Sequence, residues 1–490
     1  MARRNKVTHS AITSLPRVLI SATRKSSGKT TLALGIAAAL RARRLDVRGF
    51  KKGPDYIDPM WMARATGKAC YNLDFNTQSR GEIAAMLAAK GAGADLALIE
   101  GNMGLHDGVD PDGGDSTAAL ARLVAAPVLL VLDCTGMTRS VAALALGFAV
   151  FEPDIRIGGV ILNRVAGPRQ EEKLRAALER HTDLPVLGAV PRADAGSIVE
   201  RHLGLTTPGD VSGPEAVLAE LGRRMEQTLD LDAILALARS APALPAPPAL
   251  AAARAAGVTI AVARDAAFGF TYPDDLEALA RAGARLEFFS PLSDARLPVA
   301  DAIILPGGFP ETHLQALSAN APMRAAIRAA AAGMPIHAEC GGLMYLTRAI
   351  SFGGQRAEMA GVIPAEAEVG ARAQGRGLVV VEPLGAGLWT DFPGPVAAHE
   401  FHHAALVGLP ANTRFAWRVR RGHGIDGVHD GIVIGNVLAS FTHLRNTAAC
   451  DWAARFVAFA RAKAAARAHS ARLVPELRSA SCACSHRMMP

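Results

Sequence analysis

The chain has 490 residues, half of them apolar and 5% aromatic, so it is too long for one ordinary core and too apolar for a disordered protein. Two α/β domains of about 200 residues are the simplest division. An excess of 53 Lys and Arg over 45 Asp and Glu raises a nucleic-acid or membrane partner, but the ends at 1–6 and 461–490 carry all of the +8 and leave the body formally neutral.

Residues 1–16 read as a basic N-terminal tail, and the apolar run from Val18 to Ala22 is shorter than the core of a secretory signal. Arg122 and Pro127 interrupt the longest apolar stretch, so no segment has the length of a membrane span. The six cysteines are scattered, without disulfide-framework or C-x-x-C spacing, which suits a reducing compartment. A cytoplasmic protein is expected. No aromatic-and-basic interleaving supports nucleic-acid binding.

From Arg17 onward, short β-branched runs (VLISA, LALIEG, PVLLVLD, IGGVILN) alternate with Ala/Leu-rich helical stretches. That alternation predicts crossover units on a parallel sheet over 17–235. The stretch 236–257 carries a cluster of prolines and reads as a linker. The pattern restarts with VTIAVAR, RLEFFS, DAIILPGG and MPIHAEC, giving a second α/β domain over 258–460. The basic, Ala-rich end at 461–490 shows no core pattern and is expected to be disordered.

VLISA runs through TRKSSGKTT into LALGIAAAL, the strand–loop–helix order of a phosphate-binding loop, with Thr23 where the usual pattern has its first glycine. Ser27, Gly28, Lys29, Thr30 and Thr31 form the ATP-binding candidate. Lys29 is expected at the β and γ phosphates and Thr30 on Mg²⁺. Glu100 ends a strand, where open α/β sheets bind ligands, and joins Thr30 and Asp55 as a metal candidate. Lys51, Lys52 and Asp55 are candidates for substrate or phosphate. Asp133 reads equally as a strand-end cap or an acidic nucleotide-site group, and Asn163 has the position of a base-reading amide.

In the second domain the strand MPIHAEC ends at Cys340 and is followed by GGLMYL. A strand, a sharp turn and a helix make a nucleophile elbow, here with a thiol. Gly341 and, in ILPGGFPE, Gly308 are the candidate oxyanion donors. A thiolate needs a base, and His443, at the end of GNVLASFT, is the first candidate. His399, His402 and His403 in AAHEFHH are alternatives.

Taken in order, ATRKSSGKTT, KKGPDYIDP, EGNMGLHDG, GVILNRV, PVLGAVPR, LPGGFPE, HAECGGLMYL, HEFHH and SFTHL resemble cobyrinic acid a,c-diamide synthases over about 17–460. The resemblance implies a dethiobiotin-synthetase-like ATP domain joined to a class I glutamine amidotransferase domain. It further implies a glutamine-hydrolysing ligase that turns tetrapyrrole carboxylates, first of all the a and c acetates of cobyrinate or hydrogenobyrinate, into amides with ATP, Mg²⁺ and glutamine. No nucleic-acid or membrane partner is expected, and the oligomeric state is left open, with a homodimer among the options. Cys340 would release ammonia with His443 as base. Many class I amidotransferases have glutamate two residues after the histidine; Arg445 stands there, leaving the third triad member unassigned. EGNMGLHDG and CYNLDFNTQ are closer in wording to a sirohaem-amidating relative, so sirohaem is the alternative substrate. A P-loop ATPase switch with a degenerate amidotransferase domain is a second alternative.

Overall fold

A computed structural model describes residues 12–192, 200–201, 204–247 and 254–484, with side chains as far as residue 469. The chain divides into two compact units at Leu250/Ala251, inside the expected linker. Among the described residues, no helix is long and apolar enough to cross a membrane.

The first unit is built on a seven-stranded parallel sheet in the order Tyr71–Leu73, Val47–Lys52, Leu96–Glu100, Arg17–Ala22, Val128–Asp133, Ile157–Val165, Val186–Pro191. The central strands are buried on both faces, which explains their unbroken apolar runs. The chain order switches direction beside Arg17–Ala22: later strands first add on one side and then on the other. The crevice beyond the carboxyl ends at such a switch point is where open sheets take ligands. Ala22, Lys52, Glu100, Asp133 and Asn163 all lie at or near that edge.

Both ends of this unit differ from expectation. Ile12–Thr13, assigned to a tail, pairs antiparallel with Leu244–Pro245, assigned to the linker. The linker's first residues also belong to the helix Leu231–Arg239. Arg17 holds this closure: its buried guanidinium donates to the carbonyls of Leu15 (3.0 Å), Val124 (2.6 Å), Ala125 (3.1 Å) and Pro242 (2.8 Å). Burial pushes its pKa down to about 10. A two-residue ladder between segments more than 200 positions apart leaves no periodic trace in sequence. Residues 1–11 and the Pro-flanked 248–253 lie outside the described residues.

The second unit carries a ten-stranded mixed sheet. Its parallel part runs Ala284–Phe289, Val258–Ala263, Ala302–Leu305, Ile336–Glu339, Val437–Ser440. It continues antiparallel through His429–Ile434, Arg414–Arg421, Gly375–Pro383, Val396–His402 and Thr442–His443. Only Phe441 separates Ser440, beside the nucleophile strand, from Thr442, at the far end of the order. The sheet therefore curls back on itself and brings Val396–His402 over the end of Ile336–Glu339. Apolar clusters fill both faces, one around Ile336 and Ala338 and the other around Trp389, Trp452 and Phe456.

The end expected to be disordered from 461 is instead helical: the helix Trp452–Cys484 continues through it. Trp452, Phe456 and Val457 anchor its first turns in the core, and the Ala- and Arg-rich continuation has high intrinsic helix propensity. Residues 485–490 lie outside the described residues.

Candidate functional site

In the first unit, residues 23–28 form the loop between the central strand and the helix Lys29–Ala42. Gly28 caps that helix with φ 90°, a left-handed conformation. A Cβ there would lie 2.3 Å from Asn163 Nδ2. Asn163 donates that amide to the Ser27 carbonyl (2.8 Å), so the nitrogen expected to read a base is engaged in bracing the loop. Ser27 Oγ donates to the Arg24 carbonyl (3.0 Å), and Lys29 Nζ reaches the same oxygen at 3.3 Å. Burial, and then the Lys51 charge, lower the Lys29 pKa to about 8. Thr31 follows Thr30 in the first turn of the helix.

Thr30 Oγ1 donates to Glu100 Oε1 at 2.6 Å and lies 3.3 Å from Asp58 Oδ2. Lys51 Nζ donates to the same two carboxylates, at 2.7 Å to Glu100 and 2.5 Å to Asp58. Burial opposes the Lys51 charge, but Asp58, Glu100 and Asp55 outweigh it and raise its pKa. Lys51 is thus a counter-ion inside an acidic cluster. Burial also raises Glu100 and lowers Lys52.

Asp58 is the acid that sequence reading missed. Asp55, the predicted metal candidate, instead accepts from the backbone N–H of Ile57 (2.9 Å) and Asp58 (3.2 Å) at the start of the helix Ile57–Thr66, 3.9 Å from Lys51. The signal was the three-residue spacing from Asp55, which sets Asp58 in the first turn of that helix. Thr30, Glu100 and Asp58 offer hard oxygen donors beside the phosphate loop, a set that fits Mg²⁺.

Asp133 behaves as a cap. It accepts from Thr135 Oγ1 (2.7 Å) and Thr135 N (3.1 Å) and pairs with Arg24 (3.0 Å) and Arg164 (2.8 Å). His106 Nδ1 contacts Glu152 at 2.9 Å.

In the second unit, Cys340 ends its strand with φ 45° and ψ −101° and opens the helix Gly341–Leu346. A non-glycine residue at positive φ is costly, and the surrounding fold must hold it there. Cys340 N donates to the Ser440 carbonyl at 2.7 Å, which fixes the elbow against the neighbouring strand. Gly341 and Gly308 come together as expected: a Cβ on Gly341 would lie 3.0 Å from Gly308 N and 2.9 Å from Pro310 Cδ. A Cβ on Gly307 would lie 2.6 Å from His443 Cε1, so the glycine loop also abuts the imidazole.

On the oxyanion role and glutamine hydrolysis expected from the sequence, Gly341→Ala should lower glutamine hydrolysis by roughly 10²-fold. Steady-state glutamate release is the readout, and an unchanged rate would remove Gly341 from that role.

His443 is buried at the end of the curled sheet, with Nδ1 3.3 Å from Glu339 Oε2. Burial opposes its charge, but hydrogen bonds with Cys340 and Glu339 outweigh that and raise its pKa to about 9. In sequence Glu339 is only the residue before the candidate nucleophile, whereas the amidotransferase pattern puts the acid two residues after the histidine. Arg445 is buried against Asp274 (3.0 Å) and over the Tyr272 ring (4.7 Å).

The three other histidines part company. His399 stacks on His443 (4.9 Å between centroids, 14° between planes), and burial together with the His443 charge pushes it well below the usual imidazole range. His402 donates Nδ1–H to the Ala404 carbonyl (2.8 Å) and stacks on Phe441. His403 Nδ1 lies 3.2 Å from the Gly370 carbonyl.

Residues 18–205 match the CobQ/CobB/MinD/ParA nucleotide binding domain family, and residues 259–448 match the CobB/CobQ-like glutamine amidotransferase domain family. The chain is 46% identical to a cobyrinate a,c-diamide synthase of Magnetococcus marinus, over 90% of this chain and 96% of that protein. It is 39% identical to a protein of the same name from Methanosarcina acetivorans, over 89% and 93%. It is 42% identical to a hydrogenobyrinate a,c-diamide synthase of Brucella suis, over 87% and 97%.

Proposed function

Because the chain belongs to the cobyrinate a,c-diamide synthase family, we propose that it converts the a and c acetate carboxylates of a corrinoid into carboxamides, consuming ATP and glutamine. The observation that carries this reading is the presence in one chain of two differently equipped sites. One is a phosphate loop whose Thr30 contacts Glu100. The other is a cysteine at positive φ on an elbow, hydrogen-bonded to the buried His443.

In the first unit, Lys29 and the N–H groups of the loop hold the ATP phosphates, and a substrate carboxylate oxygen attacks the γ-phosphorus to release ADP. The chain's contribution is positioning and charge neutralisation, which dominate phosphoryl transfer. Thr30, Glu100 and Asp58 would hold Mg²⁺, which when bound neutralises phosphate charge. Removing divalent cation with a chelator should stop amidation while glutamine hydrolysis continues.

In the second unit, Cys340 Sγ attacks the side-chain carbonyl of glutamine. The N–H groups of Gly308 and Gly341 face the developing oxyanion, and His443 passes its proton to the departing ammonia. Water, deprotonated by His443, then cleaves the thioester to glutamate. Ammonia attacks the acyl phosphate, the C–O bond breaks, and inorganic phosphate leaves the carboxamide behind.

The test of the substrate is mass spectrometry of cobyrinate, hydrogenobyrinate and sirohaem after incubation with the protein, ATP, Mg²⁺ and glutamine. Each carboxylate converted loses nearly one mass unit. Two such losses on a corrinoid are expected; conversion of sirohaem alone would reassign the substrate, and no conversion would reject the reading.

A further inference from the structure

The strand Ile336–Glu339 alternates its side chains, with Ile336 and Ala338 entering one apolar cluster while His337 and Glu339 point to the opposite face. On that face a hydrogen-bonded series runs toward the nucleophile. Trp389 Nε1–H donates to His337 Nδ1 at 3.3 Å. Indole nitrogen is only a donor, so His337 Nδ1 is the acceptor and its proton lies on Nε2. Nε2 is 3.0 Å from Glu339 Oε1, which also accepts the backbone N–H of Leu444 at 3.0 Å. The second carboxylate oxygen faces His443 Nδ1 at 3.3 Å, leaving Nε2 of His443 for Cys340. His337 is clamped face to face on Trp452 (4.6 Å, 16°).

We propose that Glu339, the residue immediately before the nucleophile, is the positioning acid of the Cys340–His443 pair, and that His337, locked in one tautomer by Trp389, positions Glu339 in turn. Glu339 keeps the Nδ1–H of His443 in place, so that Nε2 faces the sulfur and the protonated imidazole is stabilised beside it. Burial opposes ionisation of Glu339, yet the bonds from His337 and His443 overcome it and hold the carboxyl at about 2. The acid thus comes from the strand that bears the cysteine, while Arg445 fills the position two residues after the histidine.

This inference rests on the glutaminase reading of Cys340, and its test is chosen to fail separately from it. The rate of Cys340 alkylation by iodoacetamide, followed against pH without glutamine or macrocycle, reports the Cys340–His443 pair alone. The groups facing His443 are Cys340, Glu339 and stacked His399; Tyr272 and Arg445 act on His399, and Asp275 interacts with Glu339.

Glu339→Gln is expected to cut the glutaminase kcat by roughly 10² to 10⁴-fold with little change in KM. It should also move the alkaline limb of the alkylation profile to lower pH, because the carboxylate that favours the charged imidazole is gone. Amidation from free ammonia serves as the control for folding. The His337 variants decide the second part and stand in if Glu339→Gln does not fold. His337→Gln retains an N–H donor and should keep most glutaminase activity. His337→Phe retains the ring stack on Trp452, loses the donor and should fall roughly tenfold. An unmoved alkaline limb in Glu339→Gln, or His337→Phe at least as active as His337→Gln, overturns the proposal.

Discussion

Cys340→Ala is expected to lower glutamine-dependent amidation by about 10⁴-fold or more, while amidation from free ammonium stays within about twofold of the unaltered protein. Such a loss corresponds to about 5.5 kcal/mol of barrier. The asymmetry follows from the role proposed for the sulfur, which is to form the thioester through which ammonia is released and to take no part in activating the acceptor carboxylate. The substitution removes one atom at a buried site whose backbone is already held by the Cys340 N–H bond to Ser440. Alanine at φ 45° is no less strained than cysteine, so the fold should survive with a modest change in stability. The check is a pair of steady-state rates with glutamine and with ammonium chloride. Equal loss with both nitrogen sources would mean a structural role for Cys340, and retained glutamine use would remove it as nucleophile.

Lys29→Ala is expected to do the reverse, reducing amidation from both nitrogen sources by roughly 10³-fold, the scale set by losing one charge-bearing contact to a transferring phosphoryl group. Cys340 alkylation should be unaffected. Lys29 is the buried cation of the phosphate loop, with Nζ on the Arg24 carbonyl, whereas Lys51 is already neutralised by Asp58 and Glu100. The pH dependence has a definite sign. A lysine lowered to about 8 loses its charge as pH rises through that value. ATP affinity in the unaltered protein should therefore weaken from below pH 8 to above it, and Lys29→Ala should flatten that dependence. Isothermal titration with ATP across this range is the measurement, and the same pH dependence in both proteins would assign the titration elsewhere.

These two residues were legible in sequence for the same reason. Lys29 and Cys340 each end a strand–turn–helix transition that local pattern reports, with glycine where backbones must approach closely. What escaped was set by long-range geometry. Glu339 looks like the last residue of a strand, and only the curl that seats His443 beside Glu339 gives it a role. The alternation of His337 and Glu339 was visible, but two polar residues on one face of a buried strand signal a site only once something polar is known to lie opposite. Asp58 was passed over for Asp55 because motif reading does not separate an acid just before a helix from one in its first turn. Asn163 reads as the last residue of its strand, but the strand runs on to Val165, and the amide's partner is the Ser27 carbonyl, more than 130 positions away. The Ile12–Thr13 ladder and the helix beyond Ala460 carry no periodic apolar signal of their own.

The coupling of the two units is tested most directly by following two isotopes through one reaction: cobyrinate labelled with ¹⁸O in its acetate carboxylates, incubated with ATP, Mg²⁺ and glutamine labelled with ¹⁵N in the side-chain amide. Attack of the carboxylate on ATP and displacement by enzyme-generated ammonia require ¹⁵N in both new amides and ¹⁸O in the inorganic phosphate released. Phosphate free of ¹⁸O, or a diamide free of ¹⁵N, would contradict carboxylate activation in the first unit or ammonia supply by the second.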